Sequence, residues 1–264
     1  MSGPGTLRVE HPAPGVGRIT MSRPEVFNAF DAAMIGDLDA AFASLAEDPG
    51  VRVIVLAGEG KHFSAGADLQ WMRRASEADY DWNLADARCF AAMLGRIEAS
   101  PKPTIARVQG AALGGGVGLA CVCDIAIASD DASFAVSEAK FGILPSVIGP
   151  YVINAVGKRH AKRLALTTAR IDVSAALAIG LVQRVVQRDE LDTAVQAEID
   201  LLLTAAPNAQ REIKQLFGRL HVGPVDESIR ELTAQTIARV RGTDEAKEGF
   251  AAFLGKRPPN WIPR

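Results

Sequence analysis

Short β-branched runs alternate with stretches of helical spacing along the first two hundred residues. Residues 17–21 (GRITM) and 51–56 (VRVIVL) are short β-branched runs bounded by Gly and Pro, and predict strands. Between them, Asp31 stands where an N-cap is needed. Met34, Leu38, Phe42 and Leu45 then recur at spacings of three and four, predicting a helix that leaves at Pro49. Residues 78–99 carry a second helical pattern, closed by Pro101 and Pro103. Short strands follow at 104–108, 125–128 and 133–135, then a helix at 174–179 and a strand at 182–186. Strand and helix in this rhythm predict an α/β fold with at least one crossover connection.

The last sixty residues change character. Residues 191–205, 209–220, 225–240 and 244–254 all have helical spacing and contain no strand candidate. Thr243 suits an N-cap, with Asp244 and Glu245 in the first turn where the helix dipole favours acids. Such a layer must pack on the core or on another subunit. The chain therefore divides into a core of residues 1–200 and a helical region of residues 201–264.

Composition narrows the class. With 48% hydrophobic and 23% charged residues in 264, the chain can bury a large core, which excludes disorder. Lys and Arg number 29 against 31 Asp and Glu, a net charge of −2, so no basic field draws nucleic acid. No apolar run reaches the ~18 residues of a membrane span. The amino terminus has neither the apolar segment of a signal peptide nor a basic presequence, so a cytoplasmic location is expected. Cys89, Cys121 and Cys123 are too few for a disulfide framework, and a buried, reduced set is expected. His11, His62, His160 and His221 lack metal-site spacing, so surface histidines and no metal are expected.

Two Gly-rich turns each follow a strand: 58–69 (GEGKHFSAGADL) and 110–119 (GAALGGGVGL). Neither fits a P-loop, and the second is not a dinucleotide fingerprint. Either they are tight turns, or their free N–H groups converge on one oxygen that becomes negative during reaction. Among the acids, Glu138 lies in a mostly apolar stretch just after a short strand. Such a carboxyl either has a raised pKa and exchanges protons near neutrality, or pairs with Lys140 or another base.

In order and spacing, several segments resemble the enoyl-CoA hydratase/isomerase (crotonase) superfamily over nearly the whole length. They are 23–29 (RPEVFNA), 63–69 (FSAGADL), 101–103 (PKP), 110–116, Cys123-Asp124, 134–145, 180–182 and 248–253 with Lys256-Arg257. The resemblance implies a spiral of ββα units with a C-terminal helical region that makes homotrimers or homohexamers. It implies an acyl-CoA thioester ligand, with coenzyme A entering as part of the substrate and no cofactor besides. It assigns the oxyanion hole to the backbone N–H groups of Ala67 and Gly115, and the proton-moving carboxylate to Glu138. Ala65, Asp68 and Leu69 would line an adenine pocket, Glu25 and Val26 a strand exit beside the CoA, and Lys256 would reach the CoA phosphates.

One departure stands out. Typical hydratases of the superfamily carry a first glutamate twenty positions before the second, and here that position is Gly118. The residues after it resemble the bacterial methylglutaconyl-CoA hydratase branch of leucine and isoprenoid breakdown, implying hydration of a short branched, carboxylated enoyl-CoA. A single-glutamate isomerase is the alternative. A non-catalytic acyl-CoA- or RNA-binding relative is a third reading, disfavoured by the retained Glu138 and the charge balance. Trp71, Met72 and Tyr151 are candidate acyl-pocket residues. The distal carboxylate would contact Lys140, Arg73 or Arg74 and itself help place water in space left by Gly118.

Overall fold

A computed structural model of the protein describes residues 5–262. Strands β1 (Leu7–Ala13) and β2 (Gly15–Met21) form an antiparallel hairpin, and helix α1 (Ala32–Glu47) leads to β3 (Val51–Gly58). Helices α2 (Leu69–Glu77) and α3 (Tyr80–Glu98) precede β4 (Thr104–Val108), β5 (Ala111–Leu113), α4 (Gly115–Val122), β6 (Ile125–Ser129) and β7 (Ser133–Ala135). Then come α5 (Gly149–Thr167), β8 (Ile171–Asp172), α6 (Val173–Ala178) and β9 (Arg184–Val186). Helices α7 (Leu191–Thr204), α8 (Pro207–Phe217), α9 (Glu227–Arg241) and α10 (Asp244–Leu254) complete the chain.

The main sheet has the order β1-β2-β3-β4-β6-β9 and is parallel beyond the hairpin. A smaller sheet, β5-β7-β8, sits beside it. On β2, Ile19 faces a large core shared with Met34, Leu38 and Phe42 of α1 and Met93 and Leu94 of α3. Val16 faces the other way, joining Val53, Val55, Ile105 and Ile127 against Leu191, Ala194, Val195 and Ile199 of α7. Both faces of β3 are thus covered, which is why its residues 53–57 are continuously apolar rather than alternating.

Helix starts follow side-chain caps. Asp31 accepts from Met34 N–H, Asp68 from Gln70 N–H, Asp79 from Trp82 N–H and Thr243 from Ala246 N–H. The expected helix at 78–99 is therefore cut at Asp79, and a separate helix, α2, fills the stretch before it. Strand β1 and the short strands β5 and β8 carried too little periodicity to be read. Helix α5 has no bounds legible in the sequence: it opens on Gly149-Pro150 and is kinked at Gly157, whose φ is +75°. The expected strand at 182–186 shortens to β9 because Gln183 N–H bonds to Ala126 O outside the ladder. The carboxy-terminal helices begin where Pro207 takes the first turn and Asp226 caps, a few residues from the expected starts.

The cysteines correct the expectation of a buried set. Cys89 is exposed, Cys121 half-buried and Cys123 buried, all as free thiols. Burial pushes the Cys121 and Cys123 thiols up to about 12, so both are inert at neutral pH.

Asp124 locks the edge of this core. Its Oδ2 accepts from Thr104 N–H at 2.8 Å and Thr104 Oγ1 at 2.9 Å, and pairs with Lys214 of α8 at 2.5 Å. Asp124→Ala strands the fully buried Thr104 donors. It should lower the unfolding free energy in urea by about 2 kcal/mol, with Asp124→Asn recovering part of the loss.

Candidate active site

The two Gly-rich turns dock on each other. Ser64 N–H donates to Ala111 O at 3.1 Å, and Leu113 N–H donates to Ser64 O at 3.0 Å, forming a parallel bridge between Ser64 and Ala112. Ser64 is fully buried; its hydroxyl donates to Asn28 O at 2.8 Å and accepts from Gly66 N–H at 3.2 Å. Asn28 holds the first turn from below: its Nδ2 donates to Glu59 O at 2.9 Å and His62 O at 2.8 Å, and its Oδ1 accepts from Arg23 N–H at 3.0 Å. His62 ties the turns a second time, because its Nδ1 accepts from Ala111 N–H at 2.9 Å. That bond places the ring proton on Nε2. Burial, with Lys61, Arg170 and Arg188 nearby, lowers the His62 pKa and so favours the neutral ring. The expectation of a surface histidine thus gives way to a structural link.

This docking brings Ala67 and Gly115 onto one cavity of about 420 Å³. A side chain at Gly66 would sit 2.6 Å from Leu113 O and 3.6 Å from Gly115 N, so only glycine lets the turns approach this closely. Gly115 is the first residue of α4, where an amide has no partner within the helix. Ala67 sits between Gly66, whose carbonyl accepts from Phe30 N–H, and Asp68, whose N–H donates to Phe30 O, leaving its own amide outside that bridge. Gly114, with φ +51° and ψ −119°, occupies a backbone region closed to other residues.

Glu138 opens a 3-10 turn, Glu138–Phe141, directly across from this loop. A Cβ on Gly114 would lie only 3.4 Å from Glu138 Oε1. Its other oxygen, Oε2, is buried without a hydrogen-bond partner. Burial raises the Glu138 pKa from 4.5, opposed only by the backbone N–H groups of Glu138 and Ser137. No cation contributes, and among the described residues Glu138 forms no ion pair, so the pairing with Lys140 does not occur. A half-buried carboxyl with one unengaged oxygen, beside free amides, is equipped to take up and return a proton.

Of the remaining candidates, Ala65, Leu69, Met72 and Lys140 line the cavity. Glu25 and Val26 lie in a 3-10 turn, Pro24–Val26, at the exit of strand β2, and are not among the residues lining the cavity. Asp68 does not line it either: it caps α2 and pairs with Arg23 at 2.9 Å, so both its oxygens serve the fold. Trp71 turns inward, donating from Nε1 to Asp86 at 2.9 Å, and Tyr151 packs on the main core. Arg73 pairs with Glu77, and Arg74 lies 5.0 Å over the Trp82 ring, so neither faces the acyl space. Lys256 is exposed beyond α10, outside the cavity of its own chain. Arg170, which the sequence did not single out, lines the cavity instead.

Gly118 overturns another expectation. It leaves no room: a Cβ there would lie 2.4 Å from Ile148 Cγ2 and 2.9 Å from Ile148 Cβ. Ile148, buried at the start of α5, occupies the space that a larger residue on α4 would need.

Two free amides and an unpaired carboxyl across one cavity are equipped to stabilise a developing oxyanion and to move a proton. Comparison with known proteins gives the family. The model of the family "Enoyl-CoA hydratase/isomerase" matches residues 12–264. A solved enoyl-CoA hydratase from Shewanella pealeana is 40% identical, covers 97% of this chain and 96% of its own, and superposes with a TM-score of 0.94. One from Mycobacterium smegmatis is 35% identical with a TM-score of 0.91, covering 98% of this chain and 99% of its own. A carnitinyl-CoA dehydratase of Citrobacter koseri is 33% identical over 92% of this chain and 93% of its own. The chain belongs to the enoyl-CoA hydratase/isomerase family and is an enzyme with the α/β crotonase fold.

A carboxyl whose folded pKa is raised opposes folding once it ionises. This penalty is absent below the unfolded value near 4.5 and complete above the folded value, so stability falls as pH rises between them. Glu138→Gln should therefore raise Tm at pH 7 and leave it nearly unchanged at pH 4. Thermal melts at the two pH values check the sign.

Proposed function

We propose that the protein is an enoyl-CoA hydratase that works with one carboxylate, adding water across the 2,3 double bond of a short, branched enoyl-CoA. The observation that carries this is the unpaired, half-buried Glu138 carboxyl facing the free amides of Ala67 and Gly115. In this reading the thioester carbonyl sits between the two amides. Glu138 accepts a proton from water as the water oxygen bonds to C3. The electron pair of the double bond moves onto the thioester as an enolate, and the carboxylic acid then returns a proton to C2. The carboxylate is regenerated and no second acid is required. Removing one oxyanion donor from such a pair typically costs about 3 kcal/mol at the transition state.

A distal carboxylate on the acyl chain, as in methylglutaconyl-CoA, is the finer part of the proposal. Its support is the cationic lining contributed by Lys140 and Arg170 to an otherwise largely apolar cavity. Exposed apolar residues on the last helices, among them Phe217 of α8 and Phe250, Phe253 and Leu254 of α10, support assembly into a homotrimer or homohexamer. Among the described residues no helix is long and apolar enough to cross a membrane. A cytoplasmic enzyme is the corresponding proposal.

A second reading has its own observation. Ile148 fills the space beside Gly118, which removes one place for an attacking water and suits a delta3-delta2 isomerase in which Glu138 carries a proton between C2 and C4. A panel of short, branched and carboxylated enoyl-CoAs, with hydration and double-bond shift followed separately, separates the two. The hydratase reading predicts 3-hydroxyacyl-CoA as the main product, a higher kcat/KM for methylglutaconyl-CoA than for crotonyl-CoA, and at least ~100-fold loss of kcat in Glu138→Gln. Double-bond shift alone would replace it with the isomerase. Equal kcat/KM for the two hydration substrates would remove the distal carboxylate, and near-wild-type activity in the variant would remove Glu138 from the mechanism.

A further inference from the structure

Two cationic side chains line the cavity, and the fold uses neither. Arg170 immediately precedes β8, and the pairing of Ile171 with Phe134 sets it beside Ala135, on the wall that leads to Glu138. Lys140 stands in the same 3-10 turn as Glu138, two residues on. Both side chains are exposed, and among the described residues neither forms an ion pair. This sets them apart from Arg18 and Arg107, which share Asp192, from Arg188, which pairs with Asp131, and from Arg23, which pairs with Asp68.

The acids tell the same story. Among the described residues Glu138 is the one acid on the lining, and its upward shift has burial as its cause with no contribution from Lys140 or Arg170. The two cations therefore stand clear of the proton-moving carboxyl rather than serving as its counter-ions. Arg170 does act on His62, so its charge is felt toward the first Gly-rich turn. Around the cations, Leu69, Met72, Leu113 and Ile143 offer no competing acceptor from their side chains.

We propose that Arg170, with Lys140, forms an anion subsite of this cavity that binds an oxyanion of the thioester ligand, removed from the reacting carbons. A guanidinium presents two parallel N–H donors that match a carboxylate or phosphate edge, and the ammonium adds a second charge without fixed geometry. The anion has two possible sources with the same chemistry: a carboxylate at the far end of the acyl chain, or a phosphate of its CoA carrier. The subsite rests on the acyl-thioester reading of the cavity. It deepens that reading by assigning Arg170 a specificity role.

The test uses four thioesters: a neutral and a carboxylated enoyl group, each carried on CoA and on pantetheine, which lacks the phosphates. For the full-length protein and its Arg170→Gln, Arg170→Lys and Lys140→Gln variants, kcat/KM is measured at low salt. Melting curves accompany the kinetics to establish that each variant is folded. Arg170→Gln should lower one of two ratios about fivefold, a size suited to an exposed, solvent-screened contact. A fall in the carboxylated-to-neutral ratio assigns the anion to the acyl group, and a fall in the CoA-to-pantetheine ratio assigns it to a phosphate. Either supports the subsite, with partial recovery in Arg170→Lys and a smaller loss in Lys140→Gln. Both ratios unchanged in a folded Arg170→Gln, while the wild-type protein turns the thioesters over, overturns the subsite alone. No turnover of any thioester by the wild-type protein overturns the thioester reading and the subsite with it.

Discussion

The contact on which the site depends is the bridge between Ser64 and Ala112. Two turns from different parts of the chain, each following its own strand, have to meet within one hydrogen-bond length before two amides can face one atom. The Ser64 backbone makes both bonds of that bridge, and its hydroxyl is engaged by Asn28 and Gly66. Asn28 and His62 then fix the first turn from opposite sides. The glycines follow from this closeness: Gly66 and Gly114 lie where a side chain would strike Leu113 or strain the backbone. Preorganisation is the physical benefit. Donors already held in place do not have to reorient as charge develops on the bound oxygen.

Against this fixed frame, the carboxylate chemistry is pared down. Ile148 fills the volume beside Gly118, so helix α4 contributes its first amide but no acid. Glu138 alone faces the amides, desolvated enough to hold a proton more readily than an ordinary glutamate and unpaired enough to release it. A single group that both receives and returns a proton works best with a pKa near the operating pH, and burial supplies a shift in that direction. The same burial opposes folding at neutral pH, so the site carries a cost that the rest of the core offsets.

Much of this was legible in the residues. The α/β rhythm, the caps at Asp31 and Thr243 and the converging Gly-rich turns are local signals, and local signals survive in a single sequence. The failures have physical causes. Helix α5 was hidden because Gly149, Pro150 and Gly157 interrupt its pattern, while β5 and β8 are only three and two residues long. Asp68, Trp71, Arg73 and Arg74 stand where a ligand residue would, yet each is engaged by the fold through a cap, an indole hydrogen bond, an ion pair or a ring contact. Gly118 reads in sequence as a vacancy, whereas Ile148, thirty positions later, occupies it. Arg170 had no motif to mark it, since only the β7–β8 register brings it beside Ala135.

The central claim is that one carboxyl, Glu138, carries the proton to C2. The most direct measurement is isotope incorporation when the enzyme turns over an enoyl-CoA in heavy water enriched in oxygen-18, with product analysed by mass spectrometry and NMR. The account predicts one deuterium at C2 and one oxygen-18 at C3, both on the same face, and neither in a folded Glu138→Gln protein. Deuterium entering C2 at the wild-type rate in that variant would contradict it, because some other group would then be moving the proton.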